Sequence, residues 1–207
     1  MTNSSNPHAR LYLASASLRR RELLAQVGLQ ALVLPQYIDE SIRPNESPDV
    51  YVVRVAAEKA AAALLDPARK LQLPVLAADT AVVCDGQVLG KPSSLQDAML
   101  TLGLLSGRSH QVLTAVVLAD TQQCVQTLVS TTVTFRTIQE EEMAAYWATG
   151  EPCDKAGAYG IQGLGAMFVS HISGSYSAVV GLPLFETLGM LAEFGISSTA
   201  VLKEQAA

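Results

Sequence analysis

The chain has 207 residues, 49% of them hydrophobic, enough to bury a full core, and this excludes a disordered protein. Its formal net charge of −5 excludes a broad basic face for nucleic acid, so any anion site must be local. No run of about eighteen apolar residues suggests a membrane span, and no N-terminal stretch reads as a signal peptide.

Cys84, Cys124 and Cys153 are too far apart for a zinc pair or a CxxC motif and read as reduced, buried thiols of a cytoplasmic protein. His8, His110 and His171 are too scattered for a metal triad. The expected organisation is one domain over residues 10–196, between a polar N-terminal tail at 1–9 and a C-terminal tail at 197–207.

In chain order, residues 10–14 read as a short strand and 18–27 as a helix stopped by Gly28. A second strand follows at 30–34, then a polar loop at 36–46 that carries Asp39 and Glu40. Ser47 and Pro48 suit the N-cap and first position of a helix whose apolar stripe is Val53, Ala56, Ala57, Ala60 and Leu64, with Lys59 beside it. Residues 74–77 form an apolar strand ending at Asp79-Thr80, and 81–88 fold back through the favoured turn pair Asp85-Gly86. Ser94 caps a helix to about residue 105. Residues 111–118 and 125–135 read as an antiparallel pair, and 139–149 as a helix with acidic residues in its first turn. Gly157, Gly160, Gly163 and Gly165 punctuate a loop before a strand at 167–172, and 183–194 is the closing helix. Helices alternating with strands of both directions predict a mixed α/β fold.

Three arginines, Arg19, Arg20 and Arg21, open the first helix after Ser15-Ala16-Ser17. The first turn of a helix exposes unpaired N–H groups and the positive dipole end, which disfavour cations unless an anion sits there. Hydroxyls, free N–H groups and guanidinium forks together make a phosphate seat; read alone, the string is also a solvated basic turn capped by Ser17. Asp79 ends an apolar strand, where α/β folds place ligands and where turn formers also occur. Glu40 is either a metal ligand or a solvated loop carboxylate, and Lys59 and Lys91 are either phosphate clamps or surface cations. Jointly they supply what metal-assisted phosphoryl chemistry requires: clamps for phosphate oxygens, ligands for Mg²⁺ and a group that orients water. There is no GxxxxGK[ST] string, and the glycines of 155–163 do not open a helix directly after a strand, so neither nucleotide fingerprint is present.

The strings LYLASASLRRRELL at 11–24, DES at 39–41, EKA at 58–60, AADT at 77–80 and GKP at 90–92 run along the first half. GRSHQVLTAV at 107–116, DKAGAYGIQG at 154–163 and SGSYSAVVGLPLFET at 173–187 follow. Together they resemble the Maf family of nucleoside triphosphate pyrophosphatases. The resemblance implies a two-lobed α/β fold around a central cleft, similar to the inosine triphosphate pyrophosphatases, and dependence on a divalent metal, Mg or Mn. It implies hydrolysis of a nucleoside triphosphate to the monophosphate and pyrophosphate. KAGAYGIQG, with its glutamine, is similar to the dTTP/UTP pyrophosphatase branch, and that similarity gives Arg19, Thr80 and Gln162 roles in specificity. Asp79 takes the family's proton-acceptor position, Asp79 and Glu40 its metal contacts, and Ser15, Arg19, Arg20, Lys59 and Lys91 its phosphate contacts; Arg21 lies outside the shared pair.

The implied partners are a nucleoside triphosphate and a second copy of the chain, with neither nucleic acid nor membrane. Two alternatives stand beside this reading: a pyrophosphatase preferring modified nucleotides, and a nucleotide-binding regulator of cell division that needs no turnover. A carboxylate such as Asp79 beside a triphosphate weakens anion binding unless it manages a metal or water, which favours the enzyme.

Overall fold

In the computed structural model of the protein, residues 8–197 are described. Residues 1–7 and 198–207, the greater part of the two expected tails, lie outside them. Among the described residues no helix is long and apolar enough to cross a membrane.

One mixed sheet organises the chain. Strand β1 (Leu11–Leu13) leads through α1 (Leu18–Gln26) to β2 (Ala31–Val33) and pairs with it in parallel. On its other edge β1 pairs in parallel with β3 (Val75–Cys84), but only at Tyr12–Val75 and Leu13–Leu76. Beyond β3 the sheet turns antiparallel through β5 (Ser109–Ala119), β6 (Cys124–Phe135) and β7 (Val169–Ser173), giving the order β2-β1-β3-β5-β6-β7. Strand β4 (Gln87–Leu89) returns along the far end of β3 from the Asp85-Gly86 turn, where both residues take the positive φ of that hairpin.

Side chains alternate across a strand, and this sheet divides the core accordingly. Leu76, Ala78, Val82 and Cys84 of β3 face a core built with α1, α3 (Leu95–Leu105), α4 (Glu140–Ala148) and α6 (Leu184–Glu193). Val75, Ala77, Ala81 and Val83 face the opposite core, filled by α2 (Pro48–Leu65). The mixed α/β sheet flanked by helices is as expected.

Four details differ from the sequence expectation. First, β3 does not end at Asp79-Thr80 but continues to Cys84, because β5 pairs with it along nearly its whole length, Asp79 opposite Ala115. What ends there is the neighbouring strand: β1 stops, β4 has not yet begun, and one edge of β3 is left open at Asp79 and Thr80. Second, the buried stripe of α2 is Val52, Val55, Ala56, Lys59, Ala60 and Ala63, so Val53, Ala57 and Leu64 lie only partly buried and Lys59 sits within the stripe. In a helix this rich in alanine and valine, several phases of an i, i+3, i+4 pattern find apolar residues; contact with the sheet selects one. Third, only Cys84 is a buried thiol, whereas Cys124 and Cys153 are exposed. Fourth, the small-residue segment after β7 contains a helix, α5 (Tyr176–Val180), too short to show periodicity, capped by the Ser175 hydroxyl accepting from Ala178 N–H. The glycine-punctuated segment forms three 3₁₀ turns, Glu151–Asp154, Ala156–Ala158 and Leu164–Phe168.

Candidate active site

A cleft of about 1180 Å³ opens at the fork in the sheet and is lined by Ser15, Arg19, Arg20, Glu40, Lys59, Asp79, Thr80, Lys91 and Gln162. The structure therefore brings together every site residue expected from the sequence.

Strand alternation sends two neighbours to different partners. Asp79 points to the α2 side, where its Oδ1 accepts from Lys59 Nζ at 2.9 Å. Thr80 points to the α1 side, where its Oγ1 accepts from Arg20 Nη2 at 3.2 Å and lies 3.0 Å from Thr114 Oγ1. Thr114 in turn donates to Ala178 O at 2.7 Å, which ties β5 to α5 beneath the cleft.

Arg20 is buried at the start of α1, and its fork is largely committed. Nε donates to Gly181 O at 2.8 Å, Nη1 to Ser15 Oγ at 3.2 Å and Nη2 to Thr80 Oγ1. Ser15 Oγ also accepts from Ser17 N–H, and Ser17 Oγ caps the helix from Arg20 N–H at 3.4 Å. Burial lowers the Arg20 pKa, and the Asp79 carboxylate opposes that shift. Arg20 thus knits α1, β3 and the end of α5 into one wall and keeps part of its donor set for a ligand. Arg19 is less constrained: its nearest acidic partner is Asp154 Oδ2, 3.8 Å from Nη1, and this leaves its fork available to phosphate. Arg21 is exposed on the outer side of α1. With no acidic residue in the first turn, the positive end of α1 is uncompensated by the chain.

Opposite this wall, Lys59 Nζ lies between two carboxylates, 2.8 Å from Glu40 Oε1 and 2.9 Å from Asp79 Oδ1. Asp79 is 7% exposed, and burial raises its pKa further than Lys59 and Arg20 lower it, with Glu40 adding to the rise. A carboxylate held this way is a stronger proton acceptor than a solvated aspartate. Tyr51, on the same α2 face two turns before Lys59, also lines the cleft; burial and then the Asp79 and Glu40 charges push its hydroxyl up to about 12. Glu40 rides on an exposed loop that Arg54 clasps to α2: Nε and Nη2 grip the Glu46 carboxylate at 2.5 and 2.8 Å, and Nη2 reaches Ser41 O at 2.9 Å.

The far wall carries Lys91 and Gln162, both exposed. Gly157 N–H donates to Gly90 O at 3.1 Å, which ties the glycine-rich segment to the Gly90-Lys91-Pro92 segment.

No group of three His, Cys, Asp or Glu side chains among the described residues is placed to hold a metal. The two carboxylates meeting at Lys59 are nevertheless the hard oxygen set that suits Mg²⁺ or Mn²⁺, which take one or two carboxylates and complete their shell with water and substrate phosphates. The residues present fit such an ion bound together with a nucleotide.

The family model described as Maf-like protein matches residues 10–194. The chain belongs to the Maf-like protein family. Among curated relatives, the dTTP/UTP pyrophosphatase of Shigella dysenteriae serotype 1 (strain Sd197) is 55% identical over 184 residues, 89% of this chain and 92% of that protein. The dTTP/UTP pyrophosphatase of Escherichia coli O157:H7 is 54% identical over the same length. The family suggested by the motifs is the family found.

Several participants in this Maf-like cleft escaped the sequence reading. Thr114 left a trace, as a hydroxyl interrupting the apolar run of β5. Tyr51 left one too, since 51, 55 and 59 recur at i, i+4 and i+8 on α2. Asp154 and Lys155 left one as the opening of DKAGAYGIQG, whereas Glu151 left none, because its relation to the cleft is made by a 3₁₀ turn rather than by a periodic element.

Proposed function

We propose that this Maf-like protein hydrolyses dTTP and UTP to the nucleoside monophosphate and pyrophosphate. The observation that carries the reading is Asp79, a buried carboxylate with a raised pKa, held by Lys59 across a cleft from the open start of α1. The 55% identity to proteins of that name supports it. Arg19 and the N–H groups of α1 receive phosphate oxygens, with Lys91 on the opposite wall. Asp79 orients a water toward the α-phosphorus and takes its proton, while Lys59 fixes the carboxylate. A divalent cation held by Asp79 and Glu40 would neutralise charge on the phosphate oxygens. Gln162 offers a donor and an acceptor, a match for the N3–H and a carbonyl of uracil or thymine. A homodimer, a cytoplasmic location and the absence of a nucleic-acid partner belong to this proposal, the last consistent with the net charge of −5.

The test is a panel of nucleoside triphosphates, including modified pyrimidine and purine forms, assayed for pyrophosphate release. Fastest release from dTTP and UTP is expected. A preference for modified bases would move the reading to the pyrophosphatase preferring modified nucleotides, and tight binding with no turnover would move it to a regulator.

The arginine row gives a second test. Arg19→Ala should weaken triphosphate binding by about tenfold, the loss of one charge-assisted contact. Arg20→Ala should weaken it and also lower Tm, because Gly181 O, Ser15 and Thr80 lose a buried donor. Arg21→Ala should leave both unchanged; equal binding losses at all three would mean diffuse charge and no shaped seat.

A further inference from the structure

We propose that Glu151 and Tyr146 are positioning residues for base selection, a hydrogen-bonded pair that sets the loop carrying Gln162; this rests on the reading of Gln162 given above. The loop of residues 160–165 has no strand or α-helix to define it, yet both of its ends are pinned to this one pair. At its start, Gly160 N–H donates to Tyr146 Oη at 3.0 Å. At its end, Leu164 N–H donates to Glu151 Oε2 at 2.8 Å and Gly165 N–H to Glu151 Oε1 at 3.0 Å. The pair is closed by Tyr146 donating to Glu151 Oε1 at 2.7 Å, and Lys155 Nζ braces the Glu151 carbonyl at 2.9 Å. Gln162 lies midway between the pinned ends and projects from a frame it takes no part in.

Two glycines are required by the closeness of this pair. A Cβ at Gly165 would stand 2.6 Å from Tyr146 Oη, and one at Gly163 would fall on the Glu151 carboxylate. Gly163 and Gly165 thus answer to the clamp beneath them, whereas Gly157 is fixed by its positive φ and by Val82. Glu151 also lines the cleft, but two N–H groups and a phenol already converge on its oxygens, so it is neither a free base nor a metal ligand. Three donors meeting one side chain call for an acceptor-only group, and a carboxylate is the one that serves. Tyr146 reaches the pair from α4, outside the cleft lining, and so acts only through the loop.

The experiment is steady-state kinetics on dTTP and GTP for the full chain and for Tyr146→Phe, Glu151→Gln, Gln162→Ala and the Tyr146→Phe/Gln162→Ala double variant. Tyr146→Phe frees Gly160 N–H, and Glu151→Gln sets an NH₂ group against N–H donors. Each should lower kcat/KM for dTTP by about tenfold, mainly through KM, and leave that for GTP within about twofold. The double variant should be no worse than Gln162→Ala alone, since the clamp has nothing left to position. Equal losses on both nucleotides, or additive losses in the double variant, would overturn the proposal and leave a merely structural role. So would a selectivity unchanged in Gln162→Ala. Should Glu151→Gln fail to fold, Tyr146→Phe, which removes one oxygen, decides alone. Absence of pyrophosphate release by the unmodified protein would overturn the activity instead; calorimetric binding of dTTP against GTP in the same variants then tests the clamp by the same criteria.

Discussion

Asp79→Asn is expected to lower kcat by roughly 10² or more while dTTP binding survives. The substitution is nearly isosteric and keeps an oxygen for Lys59, so the 2.9 Å contact has a successor, but a carboxamide cannot take a proton from water. Binding should survive, because the loss of a negative charge beside the triphosphate offsets the weaker hold of a carboxamide on the cation, which keeps Glu40 and the phosphates. Stability should hold as well: burial is what raises the Asp79 pKa, so the ionised form carries a desolvation cost that asparagine lacks, and Lys59 retains Glu40 at 2.8 Å. Turnover by stopped assay, affinity by calorimetry and Tm by scanning separate these effects. Turnover retained at a normal level would remove the base assignment from Asp79 and pass the organisation of water to Glu40.

Gln162→Glu is expected to flatten base selection. It removes the donor end of the carboxamide and sets a negative charge toward carbonyl oxygens, a mismatch costing on the order of 1–3 kcal/mol. Gln162 is exposed, so the substitution should not disturb folding. The loss should fall on kcat/KM for dTTP and UTP far more than on that for GTP, since Arg19, Arg20, Lys59 and Lys91 are untouched. The measurement is the ratio of kcat/KM for dTTP and GTP in both proteins. An unchanged ratio in a normally folded variant would mean that this glutamine does not read the base.

Most of the fold and the membership of the cleft were legible in the chain, for local reasons. Ser17 before Leu18, Ser47-Pro48, Ser94 and the Asp85-Gly86 turn mark element boundaries through their own backbone and capping chemistry. The basic start of α1 stood out because the helix dipole disfavours it without an anion. Phase and commitment were not legible. Which face of α2 is buried, and hence that Lys59 lies within the stripe, depends on a sheet whose nearest strand begins ten residues after the helix ends.

The amino-acid order by itself determined most of the elements, the serines and arginines gathered at the start of α1 and the inventory of carboxylates and lysines, because capping, turn geometry and charge act within a few residues. Only the tertiary structure decided how these groups are used. Pairing of β3 with β5 carries the strand through Asp79 and Thr80, so that pleating aims one at Lys59 and the other at Arg20. It also decided that Arg20 is mostly spent on Gly181, Ser15 and Thr80 while Arg19 stays available, and that Glu151 serves backbone N–H groups thirteen and fourteen residues away. A side chain's chemistry is local, but its partners are chosen by burial, where every donor must find an acceptor and the nearest one comes from a distant part of the chain.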